Sequence, residues 1–357
     1  MKKRIALSTV FGLLFSTGVF CELPSHYYPT EEEIAAMLRE ADDFIDDMPE
    51  GLQDRQSDAV RHALRGQLSE LQDERMRRNK KSVLSDRVER IDFTGDGDAR
   101  GIAMRLYKPK DKENGPLPLL VYFHGGGWAL GSIESCARFC DSLASSGKAM
   151  VLAVDYSLAP ENPYPKGLYD CVGVVKYAMD HVAEWGSDSG LVSLGGDSSG
   201  GNLALAAAMR AEEFLPEELK VKSLILFYPV VKAYADNSKS WKTYSRGYGL
   251  DSRLMEAFNE AYLSSSNVEA TAPDVSPGDS SDEKLSKMPR VLLISAERDI
   301  LTGQGKEFIE RLQSVGSDAD RIEFPGAVHL FITVEGQPTA FGKSVAVAAD
   351  FLSKQQN

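Results

Sequence analysis

Five short runs of apolar residues, each about as long as a β-strand, recur along this chain with segments of helical pattern between them. The runs cover residues 119–123, 151–154, 191–194, 224–227 and 291–294. Because polar residues hardly interrupt them, the runs predict strands that are buried on both faces. Such strands separated by helices indicate an α/β fold, in which a mostly parallel central sheet is flanked by helices and connected by right-handed crossovers.

A serine lies between two glycines directly after the third run, where that strand would lead into a helix. Residues 196–200 read Gly-Asp-Ser-Ser-Gly, and an alanine-rich helical pattern covers residues 202–211. On a sharp strand-to-helix turn, the residues two before and two after the serine lie against neighbouring backbone, where only glycine fits. Asp197 stands two residues before Ser199, so only Ser198 satisfies this spacing. The pattern favours Ser198 as an exposed nucleophile over the alternative, an ordinary glycine-serine loop.

Three consecutive glycines follow the first run. Gly125, Gly126 and Gly127 come one residue after the strand predicted over residues 119–123. Their backbone N–H groups can approach an incoming oxygen without obstruction by side chains, as an oxyanion hole requires. The N–H of Ser199, directly after the candidate nucleophile, would complete the hole. The alternative, a flexible glycine turn, is disfavoured by the strand before the glycines and the serine turn after them.

A nucleophilic serine needs a base, and only one of the five histidines of the chain follows Ser198. That residue is His329, which comes after a short strand-like segment. The acid that orients it should lie between the two, on the loop after a strand. Glu297 and Asp299 both follow the fifth run and both fit this position. The residues alone therefore leave two candidates for the acid.

Four stretches together make the chain resemble the hormone-sensitive lipase family of carboxylesterases, from about residue 91 to the carboxyl end. They are residues 124–128, residues 156–165, residues 196–202, and Asp299 followed by His329. The family has alanine where Ser199 stands, which leaves the backbone donor intact. Its acid is followed by proline, where this chain has Ile300, and its base by glycine, where this chain has Leu330.

The resemblance implies an α/β-hydrolase fold with a helical cap over the active site. It implies a serine carboxylesterase that hydrolyses short- to medium-chain acyl esters through an acyl-enzyme, without a cofactor. It favours Asp299 over Glu297 as the acid beside Ser198 and His329. Two other functions stay open. One is a non-catalytic receptor for a small ligand, because some members lack a working base, and the other is an amidase or peptidase that uses the same triad.

The segment over residues 22–90 differs in pattern from the rest of the chain. Apolar residues recur at helical spacing over residues 31–48, and Thr30 and Glu33 are placed to form a capping box at the start of that helix. A second, more charged helical stretch covers residues 58–78. We expect these helices to form the N-terminal part of a cap.

The α/β pattern covers residues 91–231 and resumes over residues 290–357, so we expect a hydrolase core in two parts. Residues 232–289 break the pattern, and a helix is predicted within them over residues 252–262. In the family that the chain resembles, such an insert joins the N-terminal helices in a cap over the pocket. Four aromatic side chains of the insert are candidate pocket walls, or else pack within the cap: Trp241, Tyr244, Tyr248 and Phe258.

The first 21 residues resemble a secretory signal peptide. Three basic residues at positions 2–4 precede an apolar run over residues 5–20, which is shorter than the ~20 residues of a membrane-spanning helix. We therefore expect export to the periplasm or secretion, with cleavage after Cys21. Lipid attachment at Cys21 and an uncleaved apolar terminus are the alternatives. Three further cysteines are too few for a disulfide scaffold and are predicted to be small buried residues: Cys136, Cys140 and Cys171.

The balance of charges limits the partners of the chain. The 357 residues carry a formal net charge of −13, and such a surface repels phosphate backbones, so we expect no nucleic-acid partner. No group of histidines, cysteines and carboxylates has the spacing of metal ligands, so we expect no metal. A small-molecule ester is the expected partner, and a homodimer stays open.

Overall fold

The computed structural model describes residues 23–79, 82–111, 115–216 and 219–354, so the predicted signal peptide over residues 1–21 lies outside it. Within these ranges one sheet has the spatial order β1-β2-β4-β3-β5-β6-β7-β8. Its strands are β1 (Val88–Thr94), β2 (Ala103–Pro109), β3 (Leu119–Phe123), β4 (Met150–Asp155), β5 (Val192–Asp197), β6 (Ser223–Phe227), β7 (Arg290–Arg298) and β8 (Ala319–Val328). Strand β2 runs antiparallel to both of its neighbours, and every other pair is parallel. The predicted α/β class and mostly parallel sheet are confirmed.

Helices cover both faces of this sheet. They are α1 (Glu31–Asp46), α2 (Leu52–Ala63), α3 (Ser69–Arg78), α4 (Ile133–Ser145), α5 (Lys166–Trp185), α6 (Ser199–Phe214), α7 (Lys239–Thr243), α8 (Ser252–Leu263), α9 (Asp282–Leu285), α10 (Thr302–Ser314) and α11 (Pro338–Ser353). In β3, Val121 packs into the cluster that contains α5 and α6, whereas Tyr122 packs into the cluster that contains α4 and α11. Within the described ranges, none of these helices has both the length and the apolar character needed to cross a bilayer.

The N-terminal helices divide between the core and the cap. Helix α1 begins at the predicted capping box, where the Glu33 amide donates to Thr30 Oγ1 at 3.2 Å, but it packs against β8 and α11 of the core. The single helical stretch predicted over residues 58–78 is wrong. The chain forms α2 and α3 instead, and Gly66, with a φ of +85°, lies in the turn between them.

Helices α2 and α3 pack with the insert and form a cap. Helix α2 lies against α8, and Arg61 pairs with Glu260 across that contact at 3.1 Å. Gln53 donates to the Gly249 carbonyl at 2.8 Å and accepts from the Asp251 amide at 3.2 Å. The insert and the N-terminal helices are thus linked by buried hydrogen bonds and by surface charges. The exact domain boundaries stay a prediction.

Two further expectations concern the core. Strand β1 begins at Val88, before the predicted start of the core at residue 91, and only Val88 among its residues is buried. An edge strand with one buried side chain gives a weak apolar pattern, which is why the sequence did not indicate it. The prediction for the three cysteines of the described ranges is confirmed, since Cys136, Cys140 and Cys171 are buried and unpaired.

Candidate active site

Ser198 lies on the sharp turn between β5 and α6. Its φ of +55° and ψ of −119° are unusual for a residue with a side chain. A Cβ added to Gly196 would lie 2.5 Å from the Phe123 carbonyl oxygen, and one added to Gly200 would lie 2.6 Å from the His124 carbonyl oxygen. Both glycines therefore permit the close backbone approach that the sequence predicted. The strained turn presents the Ser198 hydroxyl at the carboxyl end of β5.

Three side chains from distant parts of the chain meet at this turn. His329 follows β8, and its Nε2 lies 3.1 Å from Ser198 Oγ. Its Nδ1 lies 2.6 Å from Asp299 Oδ2, directly after β7. His329 and Asp299 are 0% and 1% exposed, and Ser198 is 6% exposed, so the chain of hydrogen bonds is shielded from water. The structure thus brings together the three residues predicted as nucleophile, acid and base.

The two carboxylates that the sequence left open have different neighbours. Asp299 reaches His329, and its second oxygen accepts the Leu301 amide at 3.0 Å. Glu297 accepts the Gly326 amide at 2.7 Å instead. Only Asp299 is therefore placed to orient the imidazole, as the family resemblance implied.

Two residues that the sequence did not single out hold the loop of His329. The ring of Tyr228 lies 4.3 Å from the His329 ring, and its hydroxyl accepts the Ile332 amide at 3.2 Å. Gln337 Oε1 accepts the Val328 amide at 2.9 Å, while its Nε2 donates to the His329 carbonyl at 3.4 Å. No sequence pattern marks these positions, because their contacts form only after β6, β8 and α11 come together.

The glycine loop offers fewer free donors than the sequence predicted. The Gly125 amide already donates to Asp197 Oδ1 at 3.0 Å, so its assignment to the oxyanion hole is corrected. The amides of Gly126 and Gly127 make no hydrogen bond within the described residues. Ser199 is the first residue of α6, and its amide is free because a helix leaves its first N–H groups without intrahelical partners. These three amides are available for an oxyanion.

His124 stabilises the glycine loop. Its Nδ1 lies 2.9 Å from the Gly125 carbonyl oxygen, and its ring stacks on Tyr156 with centroids 4.3 Å apart. The Tyr156 hydroxyl donates to the His124 carbonyl at 2.6 Å. Burial lowers the pKa of His124 to about 4, so the ring is neutral at physiological pH.

A cavity beside Ser198 lies between the core and the cap. It is narrow, with room for the centres of water-sized molecules over only about 20 Å³, and it opens to solvent. Phe258 of α8 covers the glycine loop so closely that a Cβ on Gly127 would clash with its ring. Leu250, Leu254 and Leu330 add apolar surface, and Gln53, Gln56, Arg78 and Thr333 add polar groups. Of the four aromatic residues predicted as pocket walls, Phe258 lines this cavity, whereas Trp241, Tyr244 and Tyr248 do not.

The other histidines have partners elsewhere. His26 lies 3.0 Å from Asp350, His62 lies 2.9 Å from Glu70, and His181 lies 2.8 Å from the Tyr177 carbonyl oxygen. None of these three rings lies in the cavity beside Ser198. His329 is therefore the ring placed to act as a base on the serine.

Comparison with known proteins agrees with this arrangement. The model of a family described by its α/β-hydrolase fold matches residues 120–333, which include Ser198, Asp299 and His329. An arylesterase from Saccharolobus solfataricus is 33% identical over 232 residues, which cover 65% of this chain and 73% of that protein.

Solved structures give the same result. The hyperthermophilic esterase from the archaeon Pyrobaculum calidifontis superposes with a TM-score of 0.71 at 30% identity, covering 83% of this chain and 97% of the esterase. Carboxyl esterase 2 from the mycorrhizal fungus Tuber melanosporum superposes with a TM-score of 0.69 at 28% identity, covering 76% of this chain and 89% of that chain. The chain belongs to the α/β-hydrolase family, and within it to the hormone-sensitive lipase group whose motifs it carries.

Proposed function

We propose that this carboxylic ester hydrolase acts by acyl transfer through Ser198, with His329 as the base and Asp299 as the acid that orients it. The 3.1 Å separation of His329 Nε2 from Ser198 Oγ carries the proposal, because it allows direct proton transfer. The buried Asp299 carboxylate holds the opposite ring nitrogen and stabilises the imidazolium that forms.

The first half of the reaction forms the acyl-enzyme. Ser198 Oγ attacks the ester carbonyl carbon while His329 takes the hydroxyl proton, and the carbonyl π electrons move onto oxygen. The free amides of Gly126, Gly127 and Ser199 stabilise that oxyanion. The oxyanion then collapses, the C–O bond to the alcohol breaks, and His329 protonates the leaving oxygen.

The second half releases the acid. A water molecule gives a proton to His329 and attacks the acyl carbon, and the tetrahedral intermediate collapses with return of the proton to Ser198. Both halves begin with His329 as the proton acceptor.

Short- to medium-chain acyl groups suit the site best, because little room is left between Ser198 and the cap. Phe258, Leu250 and Leu254 form an apolar wall that suits an acyl chain and limits its length. Export of the protein stays a separate proposal that rests on the amino-terminal residues alone.

The test combines a mutant with a substrate panel. Wild-type protein should hydrolyse p-nitrophenyl acetate and butyrate faster than the palmitate ester and should be labelled by a fluorophosphonate at one site. Ser198→Ala should lose both turnover and labelling while keeping the wild-type circular dichroism spectrum. Full labelling of the mutant would refute the assignment. A p-nitroanilide of the same acyl group separates the alternatives, since faster amide cleavage would indicate an amidase and ligand binding without turnover a receptor.

A further inference from the structure

The cavity beside Ser198 contains a cation whose role the proposed mechanism does not explain. Arg78, the last residue of α3, lines the cavity together with Gly126 and Ser198. A Cβ added to Gly126 would lie 3.1 Å from Arg78 Nη1. The guanidinium therefore lies against the glycine loop, next to the place where the ester carbonyl would bind.

Arg78 differs from the other arginines of its helix because it has no partner. Arg75 pairs with Glu161 at 2.7 Å, and Arg77 pairs with Glu74. The Arg78 side chain makes no hydrogen bond and no ion pair with any residue in the parts of the chain that the structure describes. Its α-helix is held to the core by Arg75, which also donates to the Ala129 carbonyl at 2.8 Å. Arg75 thus anchors α3 to the core, and Arg78 is not needed for that role.

The nearest carboxylates are engaged by other groups. Asp197 and Glu74 act on Arg78 only through longer-range attraction. Asp197 accepts hydrogen bonds from the Tyr122 hydroxyl and the Gly125 amide, and Glu74 is held by Arg55 and Arg77. Asp197 lines the same cavity as Arg78, but within the described residues neither carboxylate forms an ion pair with the guanidinium.

The charge of Arg78 faces the cavity. The residue is partly exposed, and it lines the cavity beside Ser198. Burial lowers the pKa of Arg78 below its ordinary value, although an arginine side chain stays ionised in proteins. A guanidinium without an ion-pair partner can form a strong and directional interaction with an anion that enters the cavity.

We propose that Arg78 selects esters that carry a carboxylate within a few bonds of the scissile carbonyl. The inference rests on the proposed esterase activity of Ser198. The planar guanidinium matches the two oxygens of a carboxylate in a bidentate pair. One guanidinium balances one carboxylate, whereas a phosphate dianion would keep an unpaired charge in a chain of net charge −13. The carboxylate can belong to the acyl group or to the alcohol, and the experiment separates these sources.

The experiment compares charged and neutral esters of matched size. On the acyl side the pair is mono-p-nitrophenyl succinate and its methyl ester, and on the alcohol side it is acetoxyacetate and its methyl ester. Wild-type protein should prefer the charged member of at least one pair. Arg78→Gln should lower kcat/KM for that member by roughly ten- to a hundredfold and leave the neutral member within about threefold. Arg78→Lys should keep part of the preference.

Arg65→Gln is the control, because Arg65 lies in the turn before the same helix, is exposed and does not line the cavity. It should leave the preference unchanged. If Arg78→Gln lost kcat/KM equally on charged and neutral esters, the inference would be overturned and Arg78 would be assigned to stabilising the oxyanion. The inference would also be overturned if wild-type protein showed no preference for the charged ester. The proposed function itself would fail in a different way: wild-type protein would not cleave neutral esters, or Ser198→Ala would stay active.

A second measurement does not depend on folding of the variant. Free succinate should inhibit wild-type hydrolysis of p-nitrophenyl butyrate competitively and at least about tenfold more strongly than neutral succinamide. Equal inhibition by the two would overturn the inference. Titration with a fluorophosphonate counts the folded active sites of each variant, so the values of kcat refer to competent protein only.

Discussion

Asp197 Oδ1 accepts the Gly125 amide at 3.0 Å and so joins the serine turn to the glycine loop. The Tyr122 hydroxyl donates to the same oxygen at 2.9 Å. Because Asp197 directly precedes Ser198, one buried carboxylate sets the position of the proposed nucleophile relative to the proposed oxyanion donors. This contact also explains why Gly125 lies in the glycine motif without an amide free for the reaction.

Removing the Asp197 carboxylate should therefore impair catalysis without touching the triad. Asp197→Ala leaves the Gly125 amide and the Tyr122 hydroxyl buried without an acceptor, which costs about 1–3 kcal/mol for each group, and lets the glycine loop shift. We expect kcat for p-nitrophenyl butyrate to fall at least about tenfold, since misplaced oxyanion donors lose rate steeply. Asp197→Asn keeps an oxygen acceptor and should retain more activity. Wild-type kcat in Asp197→Ala would show that the loop holds its shape unaided.

The two carboxylates after β7 should respond differently to amide substitution. Asp299→Asn replaces the acceptor of the His329 Nδ1 proton and favours the wrong tautomer, so kcat should fall by about 10⁴. Glu297→Gln is the control, because its amide oxygen can still accept the Gly326 amide, and its kcat should stay within about twofold of wild type. Steady-state hydrolysis of p-nitrophenyl butyrate measures both. A larger loss in Glu297→Gln would move the acid to Glu297.

Two helical glycines form a matched pair for a test of the serine turn. A Cβ on Gly200 would lie 2.6 Å from the His124 carbonyl oxygen, whereas one on Gly342 in α11 would meet nothing within 4 Å. Gly200→Ala should lower the free energy of unfolding by about 1–3 kcal/mol and abolish most turnover. Gly342→Ala should raise the free energy of unfolding by roughly 0.5–1 kcal/mol and leave turnover intact. Urea unfolding and ester hydrolysis measure the two effects, and equal outcomes for the pair would contradict the close packing at residue 200.

The buried His124 should make stability depend on pH. Its pKa is about 4 in the folded protein, against an ordinary value of 6.5, so the unfolded chain binds a proton that the folded chain rejects between these values. Stability from this group is present above pH 6.5 and is lost as pH falls toward 4, by up to about 3 kcal/mol. Urea unfolding should show a flatter dependence between pH 7 and pH 4.5 in His124→Asn than in wild type. An NMR titration of His124 with a pKa near 6.5 would refute this.

The sequence predicted the sheet well because its central strands are apolar on both faces. The run at residues 119–123 coincides with β3, and the run at residues 224–227 lies within β6, since burial from both sides favours apolar residues. It missed β1 because an edge strand has less apolar surface to bury. It merged α2 and α3 because charged helical patterns do not show where a solvated helix ends.

The three central residues of the candidate site were predicted from the sequence, but most of the residues that line the cavity around them were not. Ser198, Asp299 and His329 were identified by order and spacing, and their catalytic roles stay predictions that the mutants test. Arg78 gave no signal, because a charged residue at the end of a charged helix looks like any solvated side chain. Its place in the cavity depends on how the cap lies on the core.

The sequence by itself determined the class of fold, the strained serine turn and the candidate triad. Local steric limits and the spacing of apolar residues depend only on residues that are close together in the sequence. Only the tertiary structure decided which carboxylate reaches His329, which amides stay free beside Ser198, and which cap residues enclose the cavity. These outcomes depend on distances between residues far apart in the chain, and such distances are set by packing of the whole core and cap.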